Sequence, residues 1–599
     1  MLELLKPGQV WRPKRGLGYG LLQQSVVGVV SLDARAIHGL PRLEAALPDF
    51  VDEPVPAPRQ GQPAEERLLT LFAFVHAAIQ REGRIPVSNP FHLQRRQLQA
   101  GQAPSFDLCL PAASFEASPL ALKWARTLCN GLLQGAQGER LASLHTLRQE
   151  VLDQLARFAN PSVNKYCILL AAYRLRVPVL TFDMEVMQLG TGCHARWMES
   201  SLTDLTPAIG VRFAKLKHHT ARVLRAGGLP GGEHKLVGTP QEAVECAAQL
   251  GYPVVVKPAD EDRGVGVSAD LRDDHAVRGA WEAARAVSAN VLVEKFAPGL
   301  THRLTVFQGE VIRVSRRIAG GVTGDGIRNV AELVTLAQQT ELHRRSQRRH
   351  GEAKLALDEE AIGLLEQEGL QASHVPAAGA YVRLRRRDNM NAGGSSETIP
   401  LGDVHPANLQ LARDAARLMR LDFAGVDLIT TDIASSWLEV GGLICEVNAK
   451  PQMGARKEPE LWDRVVSEMV GPCSRIPARL LIVADDDARE MAAVRALASQ
   501  APTTSVSSRF GLWINGQRST LQFANGFAAT LALLRRTDVT AATCLMSLGD
   551  LERKGLPLDL WDSIESAEPF DPQSAQGKRL RALMAMARRH IKTQVQGVS

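Results

Sequence analysis

The chain has 599 residues, a length that at about 150 residues per domain predicts several domains and excludes a single core. Hydrophobic residues make up 45% and charged residues 22%, which excludes a fibrous or wholly disordered chain. A net charge of +6 is too small for this size to imply a nucleic-acid partner.

Residues 1 to 160 combine a strand at Ser25 to Leu32 with a helix at Glu66 to Gln80, and the Pro- and Gly-rich stretch Pro54 to Pro63 reads as an exposed connection. A lead-in of helix and strand follows from 161 to 210. Alternation is densest from 211 to 470. It predicts helices at Lys217 to Ala226, Pro240 to Leu250 and Asp274 to Ser288, and strands at Tyr252 to Val256 and Asn290 to Lys295. Mixed charges over 340 to 372 predict a helix with a solvated face. From Ser474 the chain resumes with a strand, Arg479 to Val483, and a helix, Asp487 to Ser499.

Cys167 to Leu180 is interrupted by Arg174 and Arg176, so no run approaches the ~18 apolar residues of a membrane span. Met1 to Arg15 is charged without an apolar block, and the expected address is therefore cytoplasmic, with no membrane partner. The eight cysteines form no CxxC pair and read as reduced core thiols.

The chemistry is concentrated in the middle of the chain. Lys257 ends an apolar strand and precedes a loop whose Gly264 and Gly266 let backbone amides approach a phosphate, although a lysine in that position is equally an ordinary solvated one. Glu294, Lys295 and Phe296 end the next strand, where a free peptide edge would suit adenine and an ordinary core strand is the plainer reading. Asp427 lies on one predicted strand and Glu446 and Asn448, nineteen and twenty-one positions on, lie on another. The strand period of two puts Glu446 and Asn448 on one face, and pairing brings Asp427 beside them. Two carboxylates and an amide oxygen favour Mg²⁺ carrying nucleotide phosphates. Arg303, Arg313, Arg316 and Arg317 on nearby strands, with Arg383 to Arg387 on another, supply guanidinium groups for phosphate and carboxylate, though part of this set reads as a solvated face. The order of these pieces is the layout of an ATP-grasp carboxylate–amine ligase, and neither GxxxxGK[ST] nor a dinucleotide GxGxxG after a strand is present.

Within that superfamily the chain resembles the cyanophycin synthetases, through QLGTGCHARWMESSLTDLTPAIGV (188–211), VVVKPADEDRGVGV (254–267), VEKFAPGLTHRLTVFQGEVIRVSRRIAGGVTGDG (293–326), DNMNAGGS after VPAAGAYVRLRR, and FAGVDLITTDI with LICEVNAKP. The resemblance implies an α/β multidomain protein: an N-terminal α/β domain (1–160), a central ATP-grasp fold (161–472 with its lead-in) and a truncated Mur-ligase-like α/β C-terminal domain (473–599). It assigns Lys217, Lys257, Gly264, Gly266, Glu294, Lys295 and Phe296 to ATP, and Asp427, Glu446 and Asn448 to Mg²⁺. Arg303 and Arg317 fall to the reacting groups, and Arg385, Asn389, Gly393, Gly394 and Ser395 to the amino-acid and polymer substrates. Thr301 stands where the family usually has an acid for the ribose, Arg263 where a histidine is common, and Gly320 and Gly321 replace a small residue and a histidine.

The family's second phosphate loop is replaced by Ala484-Asp-Asp-Asp-Ala-Arg489, three carboxylates that repel a triphosphate. One ligation site implies the shorter type, which polymerises a ready-made β-aspartyl dipeptide, β-Asp-Arg above all, onto a primer, in a homodimer or homotetramer. A ligase making a short non-polymeric peptide and a catalytically weak nucleotide-binding scaffold are the alternatives.

Overall fold

Alternation along Ser25–Leu32 buries Val26, Val30 and Leu32, so this strand (β3) forms the centre of a small antiparallel sheet. In the computed structural model, which describes residues 3–97, 103–182, 185–259, 266–340, 355–385, 393–454, 456, 458–500 and 505–592, β3 pairs with Leu5–Pro7 (β1), Arg12–Lys14 (β2) and Ser105–Pro111 (β5), and β5 with His92–Arg95 (β4). Helices Ala64–Glu82 (α1), Ser118–Leu133 (α2) and Glu139–Leu155 (α3) supply the rest of this core, with Phe72 and Trp124 at its centre. The helix expected at Glu66 to Gln80 runs two residues further at each end. Pro63 precedes its first turn, Glu65 and Glu66 lie in that turn, and Arg81 lies in the last, where each charge complements the helix dipole. Val163–Arg174 (α4) follows.

Residues 1–200 and 454–599 cluster as one compact unit, and 201–453 as another. In the second unit, Lys217–Ala226 (α5) and Pro240–Leu250 (α6) form as expected; Thr239 caps α6 by accepting from the Glu242 amide at 3.1 Å, and Gly251 ends it at φ +77°. Four antiparallel strands, His234–Val237 (β6), Val254–Pro258 (β7), Ser268–Leu271 (β8) and Val291–Lys295 (β9), lie in the order β6-β9-β7-β8. Val254, Val256, Val291 and Val293 pack one face of this sheet against α6 and Asp274–Arg285 (α7). A five-stranded antiparallel sheet is built from Leu300–Phe307 (β10), Glu310–Ile318 (β11), Ser395–Ile399 (β14), Phe423–Thr430 (β15) and Leu443–Asn448 (β16), in the order β14-β11-β10-β15-β16. Between them in sequence lies a small lobe of Gly321–Thr323 (β12), Val330–Gln338 (α8), Glu359–Gln367 (α9) and Tyr381–Arg383 (β13) around Val322, Leu333, Leu365 and Val382. The helix expected over 340 to 372 falls partly outside the described residues, and within them α9 occupies its later half. Helix Pro406–Leu418 (α10) covers the apolar face of the five-stranded sheet.

The C-terminal residues build a second, mostly parallel sheet of Ala478–Val483 (β17), Ser505–Ser508 (β18), Gly511–Ile514 (β19), Gln517–Arg518 (β20), Ala542–Ser547 (β21) and Ser563–Ser566 (β22). Asp487–Gln500 (α11) follows β17 and Gly526–Leu534 (α12) precedes β21. The loop between β17 and α11 is satisfied from within. Asp486 accepts from the amides of Ala488 (2.9 Å) and Arg489 (3.0 Å), Asp485 accepts from Gly549 (2.9 Å), and the Ala484 amide donates to Glu568 (3.1 Å). Its own carboxylates therefore take the donors that a phosphate would need.

No helix among the described residues is long and apolar enough to cross a membrane. All eight cysteines are free, but Cys193 and Cys473 are exposed, so the expectation that all are core thiols is corrected: scattered positions do not report which side of an element faces the core.

Two buried histidines make the first unit acid-sensitive. Burial, helped by the charge of Arg81, pushes the His76 imidazole down to about 3, and burial also lowers that of His590, against the pull of the Asp559 and Gly18 carbonyls. A folded-state value below the unfolded one means that the unfolded chain binds more protons, so the contribution is complete above the unfolded value and is lost as pH falls towards the folded one. Each group is expected to cost up to about 1.4 kcal/mol per pH unit below roughly 6.5. The melting temperature at pH 5 should lie below that at pH 7.5; equal values would contradict it.

Candidate active site

The two faces of the five-stranded sheet have opposite chemistry. On one, Leu304, Val306, Val314, Val426, Leu428 and Val447 pack into the core with α10. On the other, the same alternation puts Arg303, Thr305, Arg313, Ser315, Asp427, Glu446 and Asn448. Register then sets the neighbours: Ser315 of β11 lies opposite Arg303 of β10, Arg303 opposite Asp427 of β15, and Asp427 opposite Glu446 of β16. One row across four strands thus holds a hydroxyl, a guanidinium and two carboxylates. In the adjacent row Arg313, Thr305, Gly425 and Asn448 stand opposite one another in turn.

Asp427 is only 3% exposed and Arg303 9%, so neither charge is tolerable alone. Arg303 grips Asp427 with both arms of its fork, through Nε to Oδ1 and through Nη2 to Oδ2 at 2.7 Å, and Arg317 adds a contact at 3.3 Å. Burial works against the Arg303 cation, but the Asp427 carboxylate outweighs it and lifts the guanidinium further above its ordinary range. Gly425 makes the fit possible. A Cβ there would lie 3.0 Å from Arg303 Cδ and Nη1 and 2.9 Å from Pro451 Cβ, so the missing side chain is the room in which Arg303 lies.

Lys257 and Glu294 belong to the four-stranded sheet, on neighbouring strands β7 and β9. They form a buried ion pair. Burial disfavours the Lys257 ammonium, yet Glu294, with a smaller share from Glu446, overcomes that and raises its pKa above the ordinary lysine value. A backbone bond from Ile444 N–H to Pro230 O at 2.9 Å joins β16 to the segment leading into β6. At Gly232 in that segment a Cβ would stand 2.7 Å from Glu294 Oε1. Gly232→Ala is therefore expected to displace Glu294 and loosen Lys257, raising the Km for ATP severalfold with little change in melting temperature; an unchanged Km would contradict it.

Asp427 and Glu446 stand opposite each other with Asn448 in the adjacent row, Arg303 and Arg317 contact Asp427, and Lys257 pairs with Glu294. The remaining expected site residues lie as follows. Lys217 opens α5. Gly266 adopts φ +68°, and Gly393 adopts φ +82°, with Gly394 and Ser395 leading into β14. Gly264 and Asn389 lie outside the described residues. The expected free edge at Glu294 to Phe296 is corrected. β9 runs between β6 and β7, its Lys295 amide donates to Glu233 O and the Phe296 amide to Pro253 O, both at 3.1 Å, while Lys295 Nζ donates to Gly251 O at 2.6 Å. Arg385 is buried and forked onto Asp358 of the small lobe, at 2.9 and 2.8 Å. Sequence reasoning passed over Thr305, Ser315, Gly232 and Gly425; the alternation Arg303-x-Thr305 and Arg313-x-Ser315-x-Arg317 is the signal that marks the first two.

The donor set fits a hard divalent cation: two carboxylates directly opposite, with the side-chain oxygen of Asn448 two residues on as a third hard donor. Among the described residues no three His, Cys, Asp or Glu side chains cluster as a ready-made metal centre.

Residues 212–301 match the family model described as an ATP-grasp domain, and residues 377–459 match the RimK-like ATP-grasp domain. The chain carries an ATP-grasp domain. Curated relatives include cyanophycin synthetase of Trichormus variabilis, 33% identical over 344 residues (56% of this chain, 37% of the relative). Cyanophycin synthetase of Synechocystis sp. is 29% identical over 407 residues (65% and 46%). The glutathione biosynthesis bifunctional protein GshAB of Streptococcus agalactiae is 31% identical over 220 residues (36% and 29%). The chain spans less than half the length of these relatives. Among solved structures, a bifunctional glutathione synthetase from Pasteurella multocida aligns with a TM-score of 0.41 at 16% identity, covering 75% of this chain and 82% of that one. D-alanine–D-alanine ligase from Bacillus anthracis aligns at 0.29 and 15% (44% and 68%).

Proposed function

We propose that this protein is an ATP-dependent carboxylate–amine ligase that extends a cyanophycin-like polymer with a β-aspartyl dipeptide, β-Asp-Arg in the first instance. The observation that carries the reading is the row Arg303–Asp427–Glu446 across neighbouring strands, together with the buried Lys257–Glu294 pair: cations and carboxylates held on strands, where a triphosphate and an acid can be oriented together. The polymer's terminal carboxylate attacks the γ-phosphorus of ATP, forming an acyl phosphate and releasing ADP. The dipeptide's α-amine then attacks the acyl carbon, the tetrahedral oxyanion collapses, phosphate departs and the amine loses its proton.

Lys257, steadied by Glu294, neutralises phosphate charge, and Arg303 and Arg317 face the developing oxyanion. Asp427, Glu446 and Asn448 would hold Mg²⁺, which would offset phosphate charge. Position and charge supply the catalysis. The internally satisfied loop between β17 and α11 supports a single ligation site.

The similarity to GshAB favours, as second reading, a ligase that adds one residue and stops. Incubation with ATP, Mg²⁺ and β-aspartyl dipeptides, with and without primer, separates the two. The proposal expects ADP and phosphate in equal amounts and a product that lengthens with time. A product one unit longer than the acceptor selects the second reading, and ADP release indifferent to any dipeptide or small acid defeats both.

A further inference from the structure

A cavity of about 620 Å³ lies within the unit of residues 1–200 and 454–599, lined by none of the candidate ATP-grasp residues. Its size is that of a small-molecule site, for which about 300–1,000 Å³ is usual.

Its walls come from opposite ends of the chain and are tied to each other. Leu17 and Leu556 exchange both backbone hydrogen bonds, at 2.8 and 2.9 Å, and Gly16 lies so close to the Lys554 carbonyl that any Cβ would overlap it. Beside the cavity His590 accepts from the Gly20 amide at 2.8 Å and bonds the Asp559 carbonyl at 2.7 Å through its other ring nitrogen. Helix α4 contributes Lys165, Leu169 and Tyr173, and α12 contributes Phe527, Leu531 and Arg535. The enclosure is thus largely pre-formed.

The charges do not balance. Both acids of the lining are already neutralised, Glu185 by Lys165 at 3.3 Å and Asp559 by Arg475 at 2.7 Å. Three guanidiniums of the lining, Arg15, Arg176 and Arg535, have no carboxylate partner among the described residues. Arg535 is braced over the Phe182 ring, 4.7 Å from its centroid, donates Nη2 to Thr181 O at 3.1 Å and keeps its Nε buried without a hydrogen-bond partner. Burial holds the Tyr173 phenol neutral, pushed up to about 12, so it remains a donor. Phe158, Leu169, Phe527 and Leu531 supply apolar surface.

We propose that this cavity binds a small organic anion, a carboxylate or phosphate carried on an apolar body of roughly aromatic size, with unpaired guanidiniums on the charge and the α4 and α12 side chains on the body. This also gives the C-terminal residues a role that needs no second nucleotide: they complete a binding site.

The test is titration of the full chain with 8-anilinonaphthalene-1-sulfonate, an anion on a flat apolar body, followed by fluorescence. One saturable equivalent is expected. Arg535→Glu and the exposed Arg15→Glu should each weaken it by about tenfold or more, the scale of a lost charge-assisted bond. Leu531→Trp should remove the equivalent by filling the space, and Lys257→Met should leave it unchanged. Circular-dichroism melts establish that each variant is folded, and Arg15→Glu, at a surface position, keeps the test open if another is not. Displacement by citrate identifies a carboxylate site, and displacement by pyrophosphate a phosphate site. Displacement by neither, absence of saturable binding, indifference to both charge reversals, or loss in Lys257→Met overturns the proposal.

Discussion

Glu446→Gln is expected to lower substrate-dependent ADP release by about 10²–10³-fold, the scale of removing one preorganised charged partner from a transition state. The change keeps size, removes the charge and turns one acceptor oxygen into an amide donor. Glu446 faces Asp427 across β15 and β16 and acts on Lys257, so both the cation donor set and the field around the phosphate lysine are weakened together. Its side chain is partly exposed, and the melting temperature should hardly move. ADP release is measured with β-Asp-Arg, primer and Mg²⁺ present; turnover at the parental rate would remove Glu446 from the metal set.

Arg303→Leu is the substitution with the largest expected effect on stability. It leaves Asp427 buried with one weaker partner, Arg317 at 3.3 Å, and stranding a buried carboxylate costs about 3–5 kcal/mol, here towards the lower end because Arg317 remains. Denaturant unfolding of Arg303→Leu, Asp427→Asn and the double variant measures it. The double variant should recover part of the loss, since the uncompensated charge is gone. An Arg303→Leu protein as stable as the parent would mean that the buried pair contributes nothing. Arg303→Lys is expected to be intermediate, because an ammonium keeps the charge but offers no fork.

Much of the ATP-grasp domain is legible in sequence because its cues are local. Helices at Lys217–Ala226 and Pro240–Leu250 follow from periodicity, the second also from its Thr239 cap. The spacing of Asp427, Glu446 and Asn448 needs only a strand period and one pairing to converge, and β15 and β16 supply that pairing. The motifs around Lys257, Glu294 and Asp427 are likewise continuous stretches, and the family models match the same region.

What escaped depends on contacts between segments. Glu294 to Phe296 read as a strand end with a free edge, and only the sheet order shows β9 enclosed on both sides with its amides taken. Arg385 reads like its neighbours as a basic residue of the site, but Asp358, distant in sequence, claims its fork. Gly232 carries no motif and Gly425 lies in one without a role assigned to it; each is a space left for a charged side chain from another strand.

The residues by themselves determined the chemical inventory: three lysines, several arginines and a hard-oxygen donor set, because alternation and hydrophobicity act over a few positions. Only the tertiary structure decided which charges meet. Pairing Arg303 with Asp427, Lys257 with Glu294 and Leu17 with Leu556 is set by strand register and long-range closure, and burial makes each such meeting obligatory, since an ion or an amide withdrawn from water must find its partner wherever the fold brings one.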